Sequence, residues 1–364
     1  MSTLANEREI FYLCLEPVRE GHASYTHVVE IIQGLKKLGW KVKLFNPTYD
    51  DKKLPSLYQR ILGMMKAQWR LMQLKKHPSL LYIRCHPFSF ITALWARWKG
   101  IKVFQEVNGT YEDLFIAWPW TRYVSFLFKA LYQKQFQWAD HVIVVTNGLE
   151  KFVKQEAGHD RITVISNGVN TTLFNRNVKT NCALPAQFVI FFGTFSRWHG
   201  ISLLLNAVDN PEWPQGVKLV FIGDGIERVS IENKVKNSDK VMYLGRKPYR
   251  EVGGIVAKAI AGLVPIQNVE DRALTGLAPL KLFETIACGV PVIVSEQPEQ
   301  ADFVRENKCG SVVGEQTPEA WAKAVKAVTQ QSIHLRLNDE LLNSVSWREK
   351  VKKLNALIMQ KISL

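Results

Sequence analysis

The chain has 364 residues, of which 47% are hydrophobic and 22% charged, and its formal net charge at pH 7 is +14. This composition excludes a disordered or collagen-like chain, and the length allows two domains that each bury a sizeable core. The opening MSTLANERE is too polar for a signal peptide, and the absence of any run of about 18 uncharged apolar residues argues against a spanning helix.

The first half of the chain alternates strand and helix patterns. Residues 9–15 and 41–45 predict strands on either side of a helix at 25–38, and the turn EPVREGHAS gives this βαβ unit a loop of the kind where phosphates are commonly bound. The turn signal Asn-Gly at 167–168 places a domain boundary near Thr171. The other predicted elements of this half are strands at 81–85, 102–107, 141–146 and 162–166, and helices within 52–77 and at 90–99, 120–138 and 149–155.

The second half repeats the same alternation. Strands are predicted at 188–193, 218–222, 242–245, 260–266, 292–295 and 311–313, with helices between them. Repeated strand–helix alternation predicts parallel sheets covered on both faces, and therefore an α/β fold of two doubly wound, Rossmann-like domains. We predict one domain at 1–171, a second at 172–346, and a final helical segment at 347–364.

Residues 276–296, GLAPLKLFETIACGVPVIVSE, predict a loop, a short helix and a buried strand. Pro279 suits the first helical turn, and Gly289 suits the position just past the helix end. Helical spacing turns one set of apolar residues towards the core, namely Leu280, Phe283 and Ala287. Lys281 and Glu284 share another face, where they form either an anion and sugar site at a helix N-terminus or a surface pair worth about 0.3 kcal/mol.

These motifs resemble those of the family-4 retaining glycosyltransferases, which have the GT-B fold of two Rossmann-like domains facing across a cleft. PLKLFE resembles the donor-site helix of one subgroup, and ISNGVN resembles the turn that joins the two domains. RCHPFSF and EVNGTYED resemble a strand end bearing Arg and an E-x-N turn in that family. The resemblance implies a nucleotide-diphosphate-sugar donor, a glycan or lipid-linked acceptor, and a last helix packed on the first domain.

The resemblance also implies roles for individual residues. Arg197 and Lys281 would bind the donor diphosphate, Glu284 the ribose hydroxyls, and Asn108 the transferred sugar. The remaining implied donor contacts are Gly21 and Ser24 in the first loop, and Ala278, Pro279 and Leu280 at the start of the donor helix. Turn and cap roles explain Asn108 and Ser24 equally well from the residues alone.

Several positions depart from the family pattern. Gly276 stands where the family usually has a first Glu, Asn108 where many members have His, and Thr194 and His199 where an Arg and a Lys are common. Arg197 lies between Thr194 and His199 and is expected to supply the positive charge in place of that Arg and Lys. The sequence therefore also allows a non-catalytic scaffold with this fold. Nucleic acid is not an expected partner, because no known binding module accompanies the charge.

No metal or disulfide chemistry is indicated. The sequence has no Asp-x-Asp pair and no His/Cys cluster at ligand spacing, so we expect neither a metal nor another cofactor. The cysteines form no Cys-x-x-Cys pair and lie mostly in apolar runs, which indicates buried thiols in a reducing compartment. They are Cys14, Cys85, Cys182, Cys288 and Cys309.

Two segments of the first domain predict contact with an anionic membrane. Residues 52–105 hold eleven Lys or Arg and no Asp or Glu, and residues 114–138 are rich in aromatic side chains with flanking cations. This combination suits the headgroup region of a bilayer. We expect a cytoplasmic protein that attaches to the inner face of the membrane; the alternative is that most of these apolar residues form the core of the first domain.

Overall fold

A computed structural model of the chain describes residues 8–20, 23–49, 55–268, 275–331, 335 and 338–362. The chain divides into two compact units. The first comprises residues 1–19, 27–166 and 350–364, and the second comprises residues 20–26 and 167–349.

The first unit is built on a six-stranded parallel sheet. Its strands are β1 (Glu9–Cys14), β2 (Lys41–Phe45), β3 (Leu80–Arg84), β4 (Val103–Val107), β5 (His141–Val144) and β6 (Ile162–Val164), in the order β2-β1-β3-β4-β5-β6. The helices in this half of the chain are α1 (Ala23–Lys37), α2 (Leu57–Met72), α3 (Phe90–Trp98), α4 (Glu112–Ala117), α5 (Ser125–Trp138) and α6 (Asn147–Ala157). Every residue of β1, β3, β4 and β5 is buried, as expected for strands covered on both faces.

The second unit has the same architecture. Its strands are β7 (Phe188–Phe195), β8 (Lys218–Gly225), β9 (Val241–Tyr243), β10 (Ala261–Val264), β11 (Val292–Ser295) and β12 (Gly310–Val313), in the order β12-β11-β10-β7-β8-β9. Its helices are α7 (Ile201–Ala207), α8 (Arg228–Asn237), α9 (Tyr249–Val256), α10 (Leu280–Ala287), α11 (Gln300–Glu306), α12 (Pro318–Gln331) and α13 (Asp339–Val345). The predicted α/β class with two doubly wound units is confirmed.

The last helix, α14 (Trp347–Ile362), joins the first unit from residue 350 onwards. A Cβ atom at Gly34 of α1 would lie 2.7 Å from Val351 of α14, so the two helices meet where α1 has no side chain. The indole Nε1 of Trp40 donates a hydrogen bond of 2.7 Å to Oδ1 of Asn355.

Several predicted elements differ in detail from the observed ones. The single aromatic helix at 120–138 is a 3-10 helix (Pro119–Val124) followed by α5, and α4 precedes both. Pro119 disfavours a helical conformation at Trp118, which ends α4 with φ −138° and ψ 80°. Strands β7 and β8 also continue past their predicted ends, because Gly193 and Gly223 pair across them and allow a very close backbone approach.

The described residues contain no helix that is long and apolar enough to cross a membrane.

Candidate functional site

The candidate site of the second unit lies where the strand order of its sheet reverses. β7 is flanked by β8 on one side and by β10 on the other, and such a switch point is where doubly wound sheets bind ligands. The chain leaving β7 forms a 3-10 helix (Arg197–His199). The chain after β10 leads to α10, so both segments that the sequence singled out begin beside this switch point.

Helix α10 ends as predicted, but its start differs from the prediction. Pro279 is extended, with φ −69° and ψ 133°, and stands just before the first helical residue rather than inside the first turn. Gly289 follows the helix with φ +75°, a left-handed conformation that glycine adopts without strain. Phe283 and Ala287 are buried as predicted, whereas Leu280 is half-buried.

The two charged residues of α10 are not on an exposed face, so the surface-pair alternative is wrong. The exposed fraction is 8% for Lys281 and 3% for Glu284. The helix lies directly on β10, where a Cβ atom at Gly262 would lie 2.6 Å from Thr285. Hydrophobic periodicity alone does not predict that a helix is buried on nearly every side.

The ammonium group of Lys281 is buried and lacks a hydrogen-bond partner among the described residues. Its Nζ lies 3.9 Å from the ring centroid of Phe191, a cation–π contact. Burial lowers the pKa of Lys281 to about 7, and the nearby Glu284 carboxylate offsets only part of this effect. Keeping a buried ammonium group charged without a hydrogen-bond partner is energetically costly.

Gly193 of β7 lies beside the ammonium group of Lys281. This residue has φ +118°, and a Cβ atom built on it would lie 3.6 Å from the Lys281 Nζ. A side chain there would therefore cover the ammonium group.

Glu284 is held by a residue that the sequence did not single out. The hydroxyl of Tyr249, the first residue of α9, donates a hydrogen bond of 2.7 Å to Oε1 of Glu284. The loop before α10 has a similar support, because Nδ2 of Asn167 donates 2.7 Å to the carbonyl oxygen of Ala278. Only the turn signal at Asn167 was visible in the sequence.

Arg197 is exposed and lies on a loop whose backbone is fixed. A Cβ atom at Gly200 would lie 2.3 Å from the carbonyl oxygen of Pro265, and the amide of Gln267 donates 2.8 Å to the carbonyl oxygen of Trp198. The loop after β7 is thus tied to the chain leaving β10. His199 is engaged with the carbonyl oxygen of Thr194 through its Nδ1.

The remaining predicted residues lie elsewhere. Ser24 is half-buried near the start of α1, and Gly21 lies outside the described residues. Asn108 follows β4 of the first unit, and its Nδ2 donates 2.7 Å to Oε1 of Glu106. The described residues contain no group of three or more His, Cys, Asp or Glu side chains that could hold a metal ion.

Two protein-family models match the chain. The model described as Glycosyltransferase Family 4 matches residues 25–173, and the model described as Glycosyl transferases group 1 matches residues 186–331. Escherichia coli K12 WcaL, named as a colanic acid biosynthesis glycosyltransferase, is 25% identical over 205 residues. That match covers 55% of this chain and 50% of WcaL, so the chain spans about half the length of this curated relative.

Solved structures of similar fold cover nearly the whole chain. Sucrose-phosphate synthase from Thermosynechococcus elongatus has a TM-score of 0.79 at 17% identity, with 98% of this chain and 99% of that chain covered. Anabaena Alr3699/HepE, solved in complex with UDP and glucose, has a TM-score of 0.67 at 15% identity, with 97% and 99% covered. At these identities the likeness shows the GT-B fold alone.

Proposed function

Because the chain belongs to the glycosyltransferases, with a family 4 domain followed by a group 1 domain, we propose that it is a retaining, metal-independent hexosyltransferase. Its donor is a nucleotide-diphosphate-sugar and its acceptor a glycan or lipid-linked glycan, in the synthesis of a cell-surface polysaccharide or glycolipid. The observation that carries this proposal is the buried ammonium of Lys281 at the start of α10, which has no hydrogen-bond partner among the described residues and lies one turn before the buried carboxylate of Glu284.

The chemistry of the reaction matches these groups. Breaking the bond from the sugar to the diphosphate leaves negative charge on phosphate oxygens, and preorganised cations stabilise that charge in the transition state. Lys281 and Arg197 supply two cations, and the first backbone amides of α10 add donors suited to an anion. Glu284 accepts hydrogen bonds from the ribose hydroxyls, while Asn108 hydrogen-bonds to the transferred sugar.

The test is a thermal-shift screen with UDP, GDP and ADP and their sugars, followed by a transfer assay. A ligand at 100 times its dissociation constant adds about 2.7 kcal/mol to the free energy of unfolding. We expect one nucleotide to raise the melting temperature, and we expect the product to keep the anomeric configuration of the donor with EDTA present. Binding without transfer or donor hydrolysis would favour the scaffold that the departures at Gly276, Asn108 and Thr194 allow, and absence of any shift would contradict the proposal.

Arg197 is proposed to replace the cations that Thr194 and His199 do not supply. Arg197→Ala should weaken nucleoside diphosphate binding about tenfold, because a charge-assisted hydrogen bond to phosphate is lost, and leave nucleoside binding within twofold. Isothermal titration of both ligands measures the difference. Lys323→Ala, which removes an exposed cation of α12, is the matched control. Equal losses for the diphosphate and the nucleoside would show that Arg197 does not bind phosphate.

The membrane part of the proposal rests on the exposed side chains of three neighbouring helices and of the 3-10 helix (Pro119–Val124) in the first unit. Thr92 of α3 bonds to Gln68 of α2 at 2.8 Å, and Phe90 of α3 lies 5.2 Å from Trp138 of α5, centroid to centroid. Of the five apolar residues interleaved with the basic block, Leu71 is buried, Met64 and Met72 are half-buried, and Met65 and Trp69 are exposed. The core therefore takes up only part of the apolar sequence.

The side chains that the core does not bury give the first unit an apolar–basic surface. Its large apolar members are Tyr58 (72% exposed), Met65 (56%), Trp69 (61%), Ile91 (52%), Trp98 (78%), Trp120 (56%), Tyr123 (90%) and Phe126 (74%). Its exposed cations are Lys66, Arg70, Arg97, Lys99, Arg122 and Lys129, and Arg60 beside them is half-buried. Exposed rings among cations suit an anionic headgroup layer, where each Lys or Arg contributes about 1 kcal/mol.

Sedimentation with vesicles tests this surface. The protein should bind phosphatidylglycerol-containing vesicles at low salt and detach at high salt, because charge attracts it and aromatic burial holds it. The double variant Trp98→Ser/Tyr123→Ser should bind at least tenfold more weakly. Ile226→Ser, which removes an exposed apolar side chain of the second unit, is the control. If the protein binds neither anionic nor neutral vesicles at low salt, membrane attachment is contradicted. The acceptor would then be a dissolved molecule.

A further inference from the structure

The carboxylate of Glu106 is the centre of a buried polar cluster in the first unit. Glu106 is the penultimate residue of β4, and its exposed fraction is 1%. Five groups approach its two oxygens: Tyr82 OH (2.7 Å) and Tyr12 OH (3.3 Å) at Oε2, and Arg84 Nη1 (2.8 Å), His27 Nε2 (2.9 Å) and Asn108 Nδ2 (2.7 Å) at Oε1.

This cluster keeps Glu106 ionised. Burial opposes ionisation, but His27, Arg84 and the Tyr82 hydroxyl together hold the pKa of Glu106 well below its usual range. An ionised carboxylate accepts hydrogen bonds and donates none. The bond between Glu106 and Asn108 must therefore be donated by the amide nitrogen of Asn108, which fixes which way that amide points.

We propose that Glu106 is a positioning residue that holds Asn108 with its carbonyl oxygen Oδ1 presented to the ligand. Asn108 then accepts a hydrogen bond from a hydroxyl group of the transferred sugar. This inference rests on the proposed function and adds the direction of that hydrogen bond. The position of Asn108 suits a ligand contact, because Asn108 directly follows a parallel strand. Doubly wound domains bind their ligands at the carboxyl ends of such strands.

A role limited to neutralising Arg84 explains the cluster less well. Arg84 has a second carboxylate, because its Nε donates 3.1 Å to Oε1 of Glu16. Replacing Glu106 thus leaves Arg84 paired, whereas the bond to Asn108 is lost or weakened.

Asn108→Asp is the discriminating variant. It places a second carboxyl beside Glu106, and two adjacent carboxylates share a proton because like charges oppose ionisation. The other ionisable groups facing this pair are Tyr12 on β1, His27 on α1, and Tyr82 and Arg84 on β3, with Glu16 behind Arg84. When protonated, the introduced carboxyl donates to Glu106 and presents its carbonyl oxygen, as asparagine does.

The expected result is a pH-dependent loss of turnover. At pH 8 the kcat of Asn108→Asp should be at least tenfold below wild type, and the ratio to wild type at the same pH should recover to within threefold at pH 5.5. Asn237→Asp, the same change on exposed α8, should keep a ratio near one throughout. A ratio for Asn108→Asp that does not change with pH would overturn the inference.

The reversed pair gives a second test. In Asn108→Asp/Glu106→Gln the amide and the carboxylate exchange places, so the hydrogen bond is restored in the opposite direction with an oxygen still available to the sugar. At pH 8 the double variant should be more active than Asn108→Asp, and additive losses would contradict the coupling.

The orientation of the amide can also be measured without substrate. In nitrogen-15 spectra the side-chain amide of Asn108 should exchange with water at least tenfold faster in Glu106→Gln than in wild type. Unprotected exchange in wild type would overturn the positioning role even if transfer occurs. Conversely, protected exchange in a protein without transfer activity would contradict the proposed function and leave the positioning of Asn108 supported.

Discussion

Replacing Lys281 with methionine should lower kcat/KM for transfer at least 30-fold and raise the melting temperature of the protein. Methionine has similar volume and flexibility, so the pocket beside Phe191 stays filled while the cation is removed. A lost charge-assisted contact to the diphosphate costs about 2–4 kcal/mol in the transition state. Steady-state kinetics and thermal unfolding of the same preparation measure both effects.

The gain in stability has a physical cause that differs from the one the sequence suggests. A cation in a first helical turn opposes the helix dipole by only a few tenths of a kcal/mol. The structure adds a larger cost. Burial lowers the pKa of Lys281 to about 7, so protonating the Lys281 amine in the folded protein is unfavourable. After the offset from the Phe191 ring, removal of this charge should stabilise the fold by about 2 kcal/mol at neutral pH.

The pH dependence of this gain follows from proton binding. Between pH 7 and about 10 the unfolded chain binds more protons at Lys281 than the folded chain, so this residue makes wild-type stability rise with pH. The cost is fully present below pH 7 and vanishes above the unfolded pKa. The excess stability of Lys281→Met should therefore be larger at pH 6.5 than at pH 9.5 in urea unfolding.

Nucleoside diphosphate binding should have the opposite trend in wild type. The charged form of Lys281 is the one that attracts phosphate, so affinity should fall as pH rises above 7, and this fall should be absent in Lys281→Met. Lys236→Met, on the exposed face of α8, is expected to change neither kinetics nor stability. Activity of Lys281→Met within threefold of wild type would contradict the assignment of Lys281 to the diphosphate.

Most of the elements and the C-terminal end of α10 could be predicted from the sequence because their signals are local. Gly289 ends α10 through its own backbone freedom, and the strand Val292–Ser295 has the bounds that its run of apolar residues predicts. The burial of Lys281 could not be predicted, since it depends on Gly262 of β10, which lets α10 approach the sheet. Such contacts join residues far apart in the chain.

The supporting residues of the candidate site were missed for the same reason. Tyr249 and Asn167 reach α10 and its preceding loop from distant segments, and nothing in their local sequence indicates a partner. Glu106 was visible only as part of an E-x-N turn. The five groups around its carboxylate come from β1, α1, β3 and the residue two positions further on, so the cluster exists only once the sheet is assembled.

Glu284→Ala should lower kcat/KM about 30-fold or more, with a loss of affinity for UDP or GDP that is absent for inorganic pyrophosphate. The reason is that Glu284 is assigned to the ribose, so a ligand without ribose does not use it. The carboxylate is buried and receives the Tyr249 hydroxyl, and its loss leaves that hydroxyl without this acceptor. Some destabilisation is therefore expected, of about 1–3 kcal/mol.

Tyr249→Phe separates the structural role of Glu284 from the binding role. It removes the hydrogen bond of 2.7 Å to Glu284 but leaves the carboxylate in place, so stability should fall by about 1 kcal/mol while kcat/KM stays within a few-fold of wild type. Glu284→Gln, which keeps an oxygen for the tyrosine hydroxyl, should recover stability but not full affinity for the nucleotide, because a neutral amide is the weaker acceptor for ribose hydroxyls. Titration calorimetry with UDP, GDP and pyrophosphate gives the affinities. Parallel losses for nucleotide and pyrophosphate in both Glu284 variants would place Glu284 at the diphosphate or show that it acts only through the fold.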